Sequence, residues 1–157
     1  TSYKNKDMEA FEAQYSTFLG VLTDLNRLLS QIDLFKLERW TTSARNVCNE
    51  VPGTTEADRD WMEWNARTLI SVWGPEKSAE RGRLHDYSSR QWGGLLNDFQ
   101  LARWKMFFQA LEEGKTITSQ EWFKWEENWT HGKTITQVAK EDPIDIAYEL
   151  YHKYFSK

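Results

Sequence analysis

Two pairs of adjacent glutamates are the residues of this chain whose types most directly suggest chemistry. Hydrolysis of a glycosidic bond with retention uses two carboxyl groups about 5–5.5 Å apart, and the pairs Glu112-Glu113 and Glu126-Glu127 offer two such groups each. Both pairs fall in predicted helices, where neighbouring side chains point roughly 100° apart, so neither pair converges unaided. We therefore interpret these glutamates as solvated surface charges.

Other kinds of reactive site have little support in the sequence. His85, His131 and His152 lie far apart without an i, i+4 partner, so no metal site is predicted. The serines at 88 and 89 do not occupy a G-x-S-x-G elbow, and no glycine-rich phosphate loop is present, so we expect no nucleotide or other cofactor. The single cysteine, Cys48, excludes an internal disulfide and a cysteine-based zinc site.

Aromatic side chains offer a different kind of site, because tryptophan and tyrosine rings stack on the apolar faces of sugars. They make up 15% of the chain, with nine tryptophans. Most tryptophans recur at helical spacing, which favours a core or domain-interface position: Trp61, Trp64, Trp104, Trp122, Trp125 and Trp129. Trp73 and Tyr87 instead flank a Gly-Pro break and a polar connection. For these two residues, packing and ligand binding remain equally open.

Length and charge limit the classes of protein to which the chain can belong. Its 157 residues suit one domain with one main core. The net charge of -4 and a pI of about 5.4 argue against nucleic acid and anionic membrane surfaces as partners. No apolar stretch approaches the ~20 residues of a membrane helix. Because the chain opens at Thr1 without a methionine or a leader, we expect a piece of a longer protein.

Helical periodicity dominates the elements that must position these residues. A 4-3-4-3-4 spacing from Phe11 to Leu29 predicts a first helix over about 4–30. A second helix is predicted from Leu34 to Asn49, and a third begins at a capping box formed by Thr55 and Asp58. Gly74-Pro75 should stop the third helix.

The second half of the chain continues this pattern. A periodic run begins at Tyr87 and Gln91 and continues to Gly114, which predicts one bent helix or two consecutive ones. A capping box of Thr118 and Glu121 and the pair Asp142-Pro143 begin the last two helices. No alternating run marks a strand, and no internal repeat or linker divides the chain. The predicted fold is therefore an all-α bundle of six or seven helices in a single domain, residues 1–157.

Several sequence blocks resemble the C-terminal domains of glycoside hydrolase family 89. They follow one another in the order of the family's WGPE, DY-x-x-(K/R)-Q and RW blocks, preceded by N-x-R and W-x-x-x-A-R elements. In this chain the WGPE, DY-x-x-(K/R)-Q and RW blocks are Trp73 to Glu76, Asp86 to Gln91 and Arg103-Trp104. The N-x-R and W-x-x-x-A-R elements are Asn65 to Arg67 and Trp40 to Arg45. The resemblance covers nearly the whole chain and is strongest over residues 61–108.

The resemblance implies that the chain is the C-terminal domain of a bacterial, exo-acting, retaining hydrolase. Such enzymes remove terminal α-linked N-acetylglucosamine from glycans such as heparan sulfate or mucin-type chains. The catalytic glutamates belong to a preceding (β/α)8 barrel that packs against the helical domain, so no catalytic residue can be assigned here. We expect the isolated chain to be inactive, and the parent protein to be periplasmic or secreted.

The same resemblance implies that the loop from residue 73 to residue 87 forms one wall of the sugar pocket. Trp73 and Tyr87 are then expected to contact the sugar or its acetyl group, with Leu84 giving apolar shape. Asp86, which we group with the substrate-binding residues, and Arg90 are together expected to fix the loop through hydrogen bonds. Support from neighbouring elements is expected from Arg67 and Trp92, while buried ion pairs of Arg67 and Arg103 are expected to hold packed helices together.

Two alternatives remain open at this point. The chain could be a stand-alone carbohydrate-binding module that uses its exposed aromatic residues, or a purely structural helical module. Titration calorimetry with N-acetylglucosamine and its oligomers separates a complete binding site from half of a pocket, because half of a pocket binds these sugars negligibly. A domain separated from its barrel should also expose an unusually large apolar patch.

Overall fold

The fold is an all-α bundle, as predicted. The structure, a computed structural model, describes Tyr3, residues 6–76, Asp86, residues 88–133 and residues 135–156. Within these ranges it has six α-helices, which are α1 (Met8–Leu29), α2 (Leu37–Asn46), α3 (Glu56–Leu69), α4 (Ala102–Glu112), α5 (Ser119–Thr130) and α6 (Pro143–Phe155). None of the helices described here combines the length and the apolar character needed to cross a membrane.

The predicted starts of α3, α5 and α6 are confirmed, and a capping side chain sets each of them. At α3 the Thr55 N–H donates to Asp58 Oδ2 at 2.7 Å, and the Asp58 N–H donates back to Thr55 Oγ1 at 3.3 Å. Thr118 and Glu121 form the same reciprocal pair at the start of α5. Asp142 caps α6 by accepting the Ile144 N–H at 2.7 Å. These caps are local in sequence, so the residue types alone reveal them.

Two predicted helix boundaries are wrong. The first helix begins at Met8 instead of near residue 4, because Asp7 is its N-cap and Lys6 has a left-handed backbone with φ of 59°. The second α-helix covers only Leu37–Asn46, with short 3₁₀ turns on both sides. Lys36 separates the first of these turns from α2 because it is extended and pairs with Gly93 in an isolated parallel bridge.

Gly93-Gly94 explains why the fourth helix starts later than its periodicity predicts. A Cβ on Gly93 would clash with Ser30, whose N and Cα would lie 2.6 Å away. Gly94 has φ of 88°, and its N–H donates to the buried Asn26 side chain at 2.8 Å. The chain is therefore held in a non-helical conformation beside α1, and Gln91 precedes the helix.

A π-helical segment, Leu96–Leu101, then leads directly into α4. Its wider turns change the direction of the side chains, so that the apolar face before α4 and that of α4 itself point to different neighbours. Before α4, Leu95 and Phe99 pack in the main core with Leu37 and Ile70. Within α4, Phe108 stacks on Tyr15 of α1 at a centroid distance of 5.0 Å.

Candidate functional site

Trp73 lies at a sharp turn that follows α3. The helix ends at Leu69, before the Gly74-Pro75 pair that was predicted to stop it. The Trp73 N–H donates to the Thr68 carbonyl at 2.8 Å, and Trp73 has φ of 64°. Helix ends normally give a left-handed position of this kind to glycine, because a Cβ costs about 1–2 kcal/mol there. This backbone conformation leaves the indole 36% exposed.

Asp86 is bound to the same turn. Its N–H donates to the Ser71 carbonyl at 2.9 Å, and its own carbonyl accepts the Ser89 N–H at 2.8 Å. Asp86 is also left-handed, with φ of 53°. Trp73 and Asp86 are therefore both tied to the end of α3, through the carbonyls of Thr68 and Ser71.

Arg103 of α4 connects this segment to the helical bundle. Its Nη2 donates to Asp86 Oδ2 at 2.5 Å, and its Nη1 donates to Glu126 Oε1 of α5 at 2.8 Å. The guanidinium carbon also lies 4.9 Å from the centroid of the Phe99 ring. Burial alone would lower the pKa of Arg103, but the hydrogen bonds and charges of Asp86 and Glu126 outweigh it and raise the pKa above its usual value. Arg103 therefore stays charged at any physiological pH.

The described contacts of Arg90 do not include Asp86. Arg90 places its guanidinium over the Trp92 ring, 5.6 Å from the centroid, and its carbonyl accepts a hydrogen bond from Gln100 at 3.1 Å. The arginine that binds the Asp86 carboxylate is Arg103 of α4, 17 residues further along the chain.

Arg67 supports the turn from inside α3. Its side chain is fully buried, and its Nε donates to Glu63 Oε1 at 3.0 Å. Its guanidinium lies 5.0 Å from the centroid of the Trp129 ring of α5, and its carbonyl accepts the Ser71 hydroxyl at 2.8 Å. Arg67 thus packs α3 against α5 through the Trp129 ring and fixes the turn through its backbone, while its ion pair with Glu63 lies within α3 itself.

Trp92 packs against α2 and the main core. Its ring is 5.8 Å from that of Trp40, and it packs against the core around Leu37 and Leu95. The Trp40 Nε1–H in turn donates to the Ala66 carbonyl of α3 at 2.9 Å. Trp92 therefore contacts α2 directly and α3 only through Trp40. None of its described contacts reaches Trp73 or Asp86.

Leu84 and Tyr87 lie outside the described residues. Their expected roles in the wall of the pocket stay predictions.

The adjacent glutamates do not form catalytic pairs. Glu112 accepts a hydrogen bond from the Tyr15 hydroxyl at 2.5 Å, and Glu113 pairs with Lys115 at 2.6 Å. The prediction that all four are solvated is wrong for Glu126, whose side chain is 3% exposed and bound to Arg103. The other three are exposed. No local sequence signal marks Glu126 as buried, because its partner lies 23 residues away.

Sequence reasoning also missed Asn26 and Ser71. Asn26 is buried in α1 and accepts the Gly94 N–H, while Ser71 provides the carbonyl that holds Asp86. A polar residue between Leu25 and Arg27, inside a leucine-rich run, was the available signal for Asn26. No sequence signal marks Ser71, because it acts through its backbone.

Comparison with known proteins connects this arrangement to one family. The family described as alpha-N-acetylglucosaminidase (NAGLU) C-terminal domain matches residues 1–153. Human alpha-N-acetylglucosaminidase is 26% identical over 146 residues, which cover 87% of this chain and 18% of the human protein. The chain therefore spans about a fifth of the length of that relative.

Solved structures show the same fold. A family 89 glycoside hydrolase from Clostridium perfringens in complex with PUGNAc matches 98% of this chain at 30% identity, with a TM-score of 0.83. The same TM-score is found for the Clostridium perfringens enzyme in complex with its substrate GlcNAc-alpha-1,4-galactose, at 29% identity over 99% of the chain. In both cases the match covers 18% of the larger chain. From the family match and these structures together, we conclude that the chain belongs to the alpha-N-acetylglucosaminidase C-terminal domain family.

Proposed function

We propose that this chain is the C-terminal domain of a longer, exo-acting, retaining α-N-acetylglucosaminidase. In that enzyme it packs beside a catalytic (β/α)8 barrel, and residues 73–87, here called the wall segment, form part of the wall of the sugar pocket. The names of the relatives and the 18% share of their length support this assignment. The natural ligand is then a glycan with a terminal α-linked N-acetylglucosamine.

The conformation of Trp73 is the observation that carries the proposal for the wall. An indole at a left-handed position is unfavourable for the isolated backbone, and such conformations concentrate at binding and active sites. The surrounding turn maintains it through the Thr68 carbonyl and leaves the ring partly exposed. A flat aromatic face held in this way is suited to stacking on a sugar ring.

The outer face of α6 supports packing against further polypeptide. Ile146 is the buried residue of this helix, whereas an apolar stripe on the other side is between 58% and 76% exposed: Ile144, Tyr148, Tyr151 and Phe155. Their spacing of four, three and four residues places them along one face. A contiguous apolar stripe of this kind commonly marks an interface.

The described carboxylates support a role without catalysis by this domain itself. Glu126 is bound to Arg103, and Glu112 to Tyr15, so neither is one of a facing pair around an open cleft. The general acid and the nucleophile are therefore assigned to the barrel.

Replacing Trp73 with Ala in the full-length enzyme tests the proposed wall. We expect kcat/KM for an aryl α-N-acetylglucosaminide to fall roughly ten-fold, because an aromatic stacking contact is worth about 1 kcal/mol or more. The melting temperature should change little, since the indole is partly exposed. The matched control is Trp61→Ala, because Trp61 is on the exposed face of α3, the helix that precedes Trp73, and is 59% exposed.

Two results would contradict the proposal. Unchanged kinetic constants for Trp73→Ala would remove Trp73 from the pocket wall. Equal losses of activity and stability in both tryptophan variants would show that these side chains only pack.

A further inference from the structure

We propose that Arg103 is a positioning residue, which fixes the turn that carries Trp73 by holding the Asp86 carboxylate against α4 and α5. This inference rests on the proposed pocket wall and names the group that fixes its shape. Neither Arg103 nor Asp86 needs to touch the sugar.

Backbone hydrogen bonds tie both Trp73 and Asp86 to the end of α3. The Trp73 N–H donates to the Thr68 carbonyl and the Asp86 N–H donates to the Ser71 carbonyl. Ser71 lies between Thr68 and Trp73 in the sequence, so the Asp86 bond holds the same turn that carries Trp73. A third contact, from Asp86 to elements other than α3, therefore fixes this turn relative to the rest of the bundle.

The Arg103 side chain supplies this third contact from a fixed position. One arm of its guanidinium is bound to the buried Glu126 at 2.8 Å, and its plane lies near the Phe99 ring. Phe99 is fully buried in the main core. Because the guanidinium is planar, holding one arm and one face also fixes the direction of the second arm. That second arm binds Asp86 at 2.5 Å.

The two arms of Arg103 have different tasks. The arm to Glu126 joins α4 to α5 and belongs to the bundle, while the arm to Asp86 crosses to the wall segment. A merely structural arginine would affect stability through both arms. A positioning arginine should affect ligand binding through the Asp86 arm alone, and this difference can be measured.

Asp86→Asn in the full-length enzyme isolates the second arm. Asparagine has nearly the same shape and tolerates the left-handed backbone of residue 86, so the hydrogen bond to Ser71 is kept and only the charge is lost. We expect PUGNAc, the ligand bound to the Clostridium perfringens relative, to bind about ten-fold more weakly. This is less than the hundred-fold that a misplacement of about 1 Å can cost in activity. KM should rise more than kcat falls, and the melting temperature should stay near that of the wild type.

A double-mutant cycle then connects Asp86 to Arg103. Arg103→Lys keeps the charge but cannot hold two carboxylates in one plane, so it should reproduce the weaker PUGNAc binding. The variant that combines Arg103→Lys with Asp86→Asn should bind PUGNAc no more weakly than the worse single variant, because both changes weaken the same contact.

The matched control is Arg27→Lys. Arg27 also binds two carboxylates, Glu141 and Glu149, but it joins α1 to α6 and its neighbouring segment. It should leave the affinity for PUGNAc unchanged.

The outcomes separate this inference from the proposed function. If Trp73→Ala weakens PUGNAc binding but Asp86→Asn and Arg103→Lys do not, the positioning role is wrong and the wall remains. If none of the three variants changes binding, the wall is wrong and this inference fails with it. If the Arg103 and Asp86 effects on binding are additive, the ion pair does not transmit them, and the positioning role is also overturned.

Discussion

Two arginines hold this bundle together by the same geometry in different surroundings. Arg103 binds Asp86 and Glu126 at the wall segment, and Arg27 binds Glu141 and Glu149 at the seam between α1 and α6. The side chain of Glu126 is almost completely buried, whereas that of Glu149 is 55% exposed. A buried carboxylate needs its partner because water cannot replace it, whereas an exposed carboxylate exchanges its partner for water at little cost. The ion pair of Arg103 with Glu126 therefore contributes strongly to stability, whereas the ion pairs of Arg27 contribute little.

The largest effect is expected when the buried contact is broken. Arg103→Met should lower the free energy of unfolding by about 2–4 kcal/mol, because it removes a charged partner from the buried Glu126. The same substitution at Arg27 should cost several-fold less, since water solvates the carboxylates it releases. Urea denaturation of both variants, with the wild type as reference, measures the difference. Equal losses would show that burial does not distinguish the two sites.

A smaller effect is expected from the salt dependence of the destabilisation at the two sites. At about 1 M salt the screening length falls to about 3 Å, so exposed charges are screened and buried ones much less. The destabilisation caused by Arg27→Met should therefore shrink between low and high salt, while that caused by Arg103→Met stays nearly constant. Denaturation curves at the two salt concentrations test this, and a parallel decrease in both variants would be the opposite result.

The smallest effect is expected from the pH dependence of the exposed seam. The hydrogen bond with Arg27 lowers the pKa of Glu141 below its ordinary value of 4.5. A carboxyl group with a lower pKa in the folded state stabilises the protein above its unfolded pKa, and this contribution is lost as the pH falls through the folded value. Glu141→Gln should therefore be less stable than the wild type above pH 4.5, and the difference should vanish in more acidic solution. A difference that grows on acidification would reverse this sign.

Much of the fold follows from local sequence patterns. The capping boxes at Thr55 and Thr118 and the Asp142-Pro143 start are confirmed, because each involves residues no more than three positions apart. The all-α fold follows from helical periodicity in the same way. Boundaries that depend on distant residues were predicted less well. The late start of the fourth helix depends on Ser30 and Asn26 of α1, which lie more than sixty residues before Gly93-Gly94.

The candidate site likewise contains residues that local sequence patterns identify and contacts that depend on distant residues. The residues of the wall segment were selected from a Gly-Pro break and a family resemblance. The expected roles of Leu84 and Tyr87 remain predictions. Asp86 was also selected, but its partner could not be, since ion pairing depends on which arginine the bundle brings within reach. Arg90 is nearer in sequence, and Arg103 is the one in contact.

The sequence by itself determined the helical class and the capped starts of α3, α5 and α6, because these depend on side chains acting on their own turn of backbone. Only the tertiary structure decided that Glu126 is buried, that Gly93 must have no side chain, and that Trp73 and Asp86 meet at one turn. The physical reason is that packing joins residues far apart in the chain, and it is this packing that excludes water from some charges and leaves others exposed.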